Sequence, residues 1–224
     1  MDTRPGDDFD AAAALAEPTR RRLYDFVARS ERPVGRDEAA SALDLPRQTA
    51  AFHLDRLADE GLLDVQFERR TGRVGPGAGR PAKLYVRSAR EICVQLPERR
   101  YDLAGLLLAG AMEEAQASHE PPRLVLERRS RAMGAGVGAR EASGSVMQAL
   151  EGLGFEPAAE GEDLVLRNCP FHELAHEHTA LVCGMNLHLV EGLLDGLGDT
   201  GMVARLAPQP GHCCVRLEPA TRKP

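Results

Sequence analysis

The segment NCPFHELAHEHTALVC, Asn168 to Cys183, places two cysteines and three histidines within sixteen residues of a chain that has only five cysteines in all. Thiolate and imidazole bind soft and borderline metals, so this density points first to metal chemistry. One continuous helix would stack His172, His176 and Cys183 on a single stripe. It would also hold Cys169 and Cys183 roughly 20 Å apart, too far for a shared site. Both sulfurs can serve one site only if the chain bends between them, and Thr179 offers the break as N-cap of a second helix, ALVCGMNLHLVEGLL. Cys183 then falls in that helix's first turns, where the dipole favours thiolate. A third sulfur comes from GHCC, Cys213 or Cys214; on a strand these neighbours face opposite ways, so only one would turn inward.

Three thiolates from a strand end, a helix start and a hairpin suit a cubane iron–sulfur cluster of the 4Fe–4S type. Its remaining iron takes a different ligand, for which His172, His176, His178 and Asp163 are the candidates. The alternative is a zinc or other divalent site from Cys169, His172, His178 and Cys183, without the C-x2-C spacing typical of zinc. The same residues also suit a plain buried core, or an apolar pocket for an organic ligand lined by Val182, Met185 and Leu189. The fifth cysteine, Cys93 in EICVQLP, reads as a buried apolar strand residue.

The elements that must position these sulfurs follow from Ser143 onward. SGSVMQALEGLG reads as helix, FEPAAE and DLVLRNCPF as strands, the stretch to Leu197 as helical, and MVARLAPQPGHCCVRLEP as a closing hairpin. That pattern predicts an α+β sensor domain over 143–218 with a disordered tail at 219–224. Before it, residues 91–142 read as a helical linker. YDLAGLLLAGAMEEAQ carries Leu103, Leu106, Leu107 and Gly110 on one stripe, suited to pairing with a second copy. The glycines of RAMGAGVGARE lack a feeding strand, so they mark a close helix contact or a helix end rather than a nucleotide loop.

The first hundred residues carry a different chemistry. Net charge is −6 overall, yet residues 1–100 hold 18 basic against 17 acidic side chains, and 65–90 hold seven basic residues against Glu68 alone. A local basic patch attracts a phosphate backbone whatever the global sum. After a disordered 1–9, the spacing predicts a helix from residue 10 with a break at Pro18, a short helix in VGRDEAASALDL, and a third in LPRQTAAFHLDRLADEG. Pro46 sits at the start of that third helix and Gly61 just past its end. Ala50, Leu54 and Leu57 fall at core spacing, which leaves Arg47, Gln48, Thr49, Phe52, His53 and Arg56 to face a major groove. LLDVQFERR and KLYVRS are strands of a hairpin wing, so Arg73, Arg80 and Lys83 are placed to meet phosphates or the minor groove. Residues 10–90 are therefore expected to form a winged helix-turn-helix DNA-binding domain.

LAEPTRRRLYDFV, TAAFHLDRLADEGLL and GRPAKLYVRS resemble the DNA-binding half of bacterial winged-helix regulators of the ArsR-related kind. NCPFHELA, LVCGMNLHLVEGLL and PGHCCVRL, in that order, resemble the second half of SufR-type iron–sulfur regulators. That resemblance implies Cys169, Cys183 and Cys213 or Cys214 as cluster ligands, and a repressor of cluster-assembly genes. The expected protein is a homodimer on a double-stranded DNA operator of paired half-sites, with the state of the cofactor setting operator affinity. No C-x-x-C, Ser/His/Asp or paired-carboxylate pattern suggests an enzyme. No apolar run approaches a membrane span, and the acidic start MDTRPGDDFD is unlike a secretory leader, so the cytoplasm is the expected compartment.

Overall fold

A computed structural model describes residues 5–68, 81–141 and 144–220. The chain forms two compact units, Met1–Val94 and Gln95–Pro224.

In the first unit, α1 (Pro5–Ala14) begins inside the stretch expected to be disordered. It stops before Pro18, which opens α2 (Pro18–Ala28) at the one helical position where a missing N–H costs nothing. The Glu17 carboxylate caps α2 by accepting from the backbone N–H groups of Thr19 (3.0 Å) and Arg20 (2.6 Å). α3 (Arg36–Leu43) and α4 (Arg47–Asp59) are joined by a turn through Asp44, which adopts left-handed φ of 53°. Ala50, Leu54 and Leu57 of α4 are fully buried against Ala11, Leu23, Val27 and Ala39. Gly61 takes φ of +71° just past α4, which frees the chain to reverse into β2 (Leu63–Glu68). β2 pairs antiparallel with β3 (Ala82–Arg87) from Leu63↔Arg87 to Glu68↔Ala82. A two-residue strand not anticipated from the sequence, β1 (Val34–Gly35), completes the sheet in the order β1-β3-β2. The wing tip, with Arg73 and Arg80, lies outside the described residues. Cys93 is exposed and in no strand, contrary to the buried position expected; its backbone N–H donates to Asp8 instead.

The second unit does not divide into a linker and a sensor. α5 (Tyr101–Ser118) and α6 (Pro122–Arg140) supply Leu103, Leu107, Val125 and Leu126 to the same core as the downstream elements. Those are α7 (Val146–Glu151), β4 (Pro157–Glu160), β5 (Asp163–Leu166), α8 (His172–Glu177), α9 (Thr179–Leu197), β6 (Met202–Leu206) and β7 (Val215–Pro219). Leu106 is 68% exposed, so only part of the apolar stripe expected on α5 faces outward, joined there by Met112. The four strands are antiparallel in the order β4-β5-β7-β6.

α6 and α9 pack backbone to backbone. A Cβ at Gly134 or Gly138 would collide with the carbonyl oxygens of Leu189 or Leu193; one at Gly192 or Gly196 would collide with those of Arg131 or Ala135. Two glycines four residues apart on each helix thus open reciprocal grooves, and this close contact accounts for the glycines of RAMGAGVGARE. Arg131 bridges Glu191 and Asp195 (2.8 Å each) along the same seam. α9 is also long and apolar enough to meet the length and composition of a membrane span, contrary to the expectation that no segment does; half of it is buried within the unit, as a core helix requires.

Candidate nucleic-acid interface and candidate thiol site

On α4, Gln48, Phe52, Asp55 and Asp59 follow one another at helical spacing on the side opposite Ala50, Leu54 and Leu57. Phe52 is 64% exposed, and Arg47, Gln48 and Arg56 are exposed beside it. Thr49 is half-buried. His53 departs from the expected reading face. Its side chain is only 13% exposed and its Nδ1 lies 3.6 Å from a Glu17 carboxylate oxygen, against the N-terminus of α2. One residue along a helix is a 100° rotation, which carries His53 from the outward face into the junction.

Lys83 and Arg47 are already engaged within the unit. Lys83 Nζ donates to Asp55 Oδ1 at 2.5 Å, and the Tyr85 hydroxyl donates to the same oxygen at 2.6 Å. Burial alone would raise the Asp55 pKa, but these two donors hold it below the ordinary carboxylate value. Burial and the Asp55 carboxylate together push the Tyr85 hydroxyl up. Asp55 therefore ties β3 to α4 and masks much of the Lys83 charge. Arg47 pairs with Asp37 on α3, and Arg56 with Glu60 at 2.5 Å. A concavity of about 470 Å³ lies between the starts of α3 and α4 and the wing, lined by Arg36, Arg47, Phe67 and Lys83 among others. Asp55 was missed from sequence; the signal available was an acid on the outward stripe facing the Lys83–Tyr85 strand.

In the second unit the sulfurs converge. β5 ends three residues before Cys169, and the Cys213 N–H donates to Leu166 O at 2.8 Å, which sets the two chain segments side by side. Asn168 anchors the turn: its Nδ2 donates to Glu98 O (2.9 Å) and Gly154 O (2.8 Å), while Arg99 donates to its Oδ1 and to Cys169 O (3.2 Å). The predicted break exists, one residue early. His178 separates α8 from α9, and Thr179 is the first helical residue, its hydroxyl donating to Ala175 O at 2.8 Å. That break brings Cys183 back toward Cys169.

Cys169, Cys183 and Cys213 are buried and Cys214 half-buried. The Cys169 thiol interacts with Cys213, Cys183 with Cys214, and the neighbours Cys213 and Cys214 with each other. Both members of GHCC thus turn toward the site. The expectation of one in and one out fails because β7 begins only at Val215, so neither cysteine has strand geometry. The Cys213 contact, with burial, holds the Cys169 proton far above the ordinary thiol range. The Cys169 bond pulls Cys213 down, but Cys214 and burial override it and push Cys213 up to about 12. Burial also raises Cys183, only partly offset by Cys214. The helix-dipole expectation for Cys183 is overruled, because desolvation of a thiolate outweighs a screened partial charge.

Imidazole and carboxylate do not join this set. His172, His176 and His178 are exposed, and Asp163 is held by Arg216 at 3.0 Å. Among the described residues no three His, Cys, Asp or Glu side chains stand ready to hold a metal ion. The buried donor set is sulfur plus one amide, Asn186, whose Nδ2 donates to Cys213 Sγ at 3.1 Å. In donor type these residues fit a thiolate-bound group, since sulfurs from three separate segments of chain meet there.

The helix-turn-helix domain family matches residues 15–66. That span runs from just past α1 through α2, α3 and α4 into β2. The match gives residues 15–66 a helix-turn-helix domain of the ArsR-like winged-helix kind and suggests a DNA-binding regulator. No curated protein and no solved structure matches the chain.

Proposed function

We propose that the protein is a dimeric transcriptional regulator whose second unit binds an iron–sulfur cluster through Cys169, Cys183 and one of the neighbours Cys213 and Cys214, and represses from an operator of paired half-sites. The observation that carries the sensing half is the convergence of four of the five cysteines in one buried place, from three separated segments of chain. A structural core has no need of four mutually crowding thiols, whereas a soft-metal group uses them as ligands. When bound, such a group would supply an oxygen- and iron-sensitive cross-link between the end of β5, the start of α9 and the β6–β7 connection. The chain's own residues orient it: Asn168 and Arg99 hold Cys169, α9 carries Cys183, and the Leu166 carbonyl fixes Cys213. In the first unit, exposed Arg47, Gln48, Phe52 and Arg56 support major-groove reading.

The deciding experiment is anaerobic purification with iron, sulfide and zinc quantified per chain, followed by operator gel shifts before and after exposure to oxygen. About four iron and four sulfide per chain, with DNA affinity that changes on oxidation, is the expected result. About one zinc per chain, or DNA binding indifferent to iron and oxygen, overturns the sensing half and leaves the DNA-binding half standing.

A further inference from the structure

Four polar side chains are buried among the described residues: Ser130, Asp163, Asn168 and Asn186. Three have evident structural partners. Ser130 donates to Leu126 O at 2.7 Å, Asp163 pairs with Arg216, and Asn168 bonds three groups around the turn that holds Cys169. Asn186 is different. It is 1% exposed, its Nδ2 meets a sulfur, and its Oδ1 has no hydrogen-bond partner among the described residues.

A thiol is a weak acceptor, so this contact compensates the amide poorly for its burial. A leucine would fill the same place on an otherwise apolar stretch of α9 without orphaning an oxygen. An amide donor becomes worthwhile when the sulfur carries negative charge, because hydrogen bonds to an ionised partner are much stronger. Both ends of the contact are fixed. Asn186 follows Cys183 by three residues on the same face of α9, and Cys213 is held at its backbone by Leu166. No hydrogen bond from Asn186 to Cys214 accompanies the one to Cys213.

We infer that Asn186 is a positioning residue that selects Cys213, rather than its neighbour Cys214, as the third sulfur ligand of a thiolate-bound group. This rests on the thiol-ligand reading proposed above and deepens it. The side chain acts through the ligand: its N–H fixes the direction of Cys213 Sγ and favours the charged sulfur that a metal binds. Outer partners of metal ligands typically carry about 10–100-fold in affinity.

The test is Cd2+ binding by the full-length, metal-free, reduced chain, measured by competition against a chromophoric chelator and by thiolate charge-transfer absorption. Asn186→Leu is expected to weaken Cd2+ binding by about 10–100-fold while the thermal midpoint of the metal-free protein is unchanged or higher. A merely structural role predicts the reverse pattern. Asn186→Asp keeps the side-chain shape, replaces the donor with an acceptor, and is expected to weaken binding at least as much; it serves if the leucine variant fails to fold. Cys213→Ser is expected to lose far more affinity than Cys214→Ser. Wild-type affinity in both Asn186 variants, or equal losses in the two serine variants, overturns the assignment of Asn186 but not the thiol-ligand reading. A wild-type chain that takes up neither Cd2+ nor iron with sulfide overturns that reading and this assignment together.

Discussion

Raising the pH of the metal-free, reduced protein should destabilise the second unit, and Cys213 sets the scale of the loss. Its thiol is 3% exposed and moves from 9.0 in an ordinary setting up to about 12 in the fold. A group whose folded pKa is raised contributes stability that is complete below about pH 9 and disappears as pH climbs toward 12, because the unfolded thiol ionises first. A tenfold change in proton affinity corresponds to about 1.4 kcal/mol, so the whole interval is worth about 4 kcal/mol and pH 10.5 already removes about 2 kcal/mol. Cys169 and Cys183 are raised too and add to the loss in the same direction. Against a typical stability of about 5–15 kcal/mol this is measurable. Urea unfolding can be followed by pulsed alkylation of Cys169 and Cys183, read by mass spectrometry, in the wild type and in Cys213→Ser. Serine does not titrate in this range, and the substitution also removes the Cys213 contact that raises Cys169, so the stability difference between the two proteins should change by at least about 2 kcal/mol between pH 7 and 10.5. A difference that stays constant over that interval would refute the argument that burial and Cys214 hold the Cys213 proton. Metal affinity must run the opposite way, rising with pH as ligands lose their protons.

Gly134→Ala should destabilise the second unit by about 1–3 kcal/mol from overpacking, offset by about 1 kcal/mol of helix propensity, because the new methyl meets backbone of α9 that cannot step aside; a thermal midpoint at or above wild type would contradict the seam. Asp55→Asn releases Lys83, so affinity for a random DNA duplex should rise and the slope of log K against log salt should steepen by about 0.9. An unchanged slope in an anisotropy titration would mean that Lys83 does not meet phosphate. Phe52→Ala should leave stability within about 0.5 kcal/mol, since the ring is 64% exposed, yet cost about 1 kcal/mol or more in operator binding. Equal operator affinity would remove Phe52 from the reading surface.

The first unit was legible because its signals are local and repeat: helix-spaced Ala50, Leu54 and Leu57, Pro46 before them, Gly61 after them, then two apolar strands. β1 escaped because two residues, Val34 and Gly35, carry no period; they become a strand only by pairing with Tyr85 and Leu84. His53 departs from its expected face for a related reason. Helical spacing says which way a side chain leaves α4, but not that Glu17 of another helix waits there. In the second unit the order of the sulfurs and the bend between them were readable, because Cys169 and Cys183 cannot share a site on a straight helix. The crowding that keeps their protons on was not, since it depends on Cys213 and Cys214 arriving from about thirty residues beyond Cys183 and more than forty beyond Cys169. Asn186 left no mark at all: one amide in an apolar helix looks like a surface residue until its burial is known.

α9 makes the two halves of that second unit mechanically inseparable. Its first turns carry Cys183 and Asn186, and its last turns carry Gly192 and Gly196, which seat on the backbone of Arg131 and Ala135. Helices in ordinary side-chain contact can slide by small rotamer changes, but backbone-to-backbone packing leaves no soft layer to absorb a shift. The ion pairs from Arg131 to Glu191 and Asp195 resist sliding along the same seam. A displacement of Cys183 by a fraction of an ångström must therefore be carried into α6, or be held as strain within α9 itself. α6 in turn shares its core with α5, whose outward side keeps Leu106 and Met112 exposed. The thiol site is thus built at one end of a stiff lever, and the reciprocal glycines are what make the lever stiff.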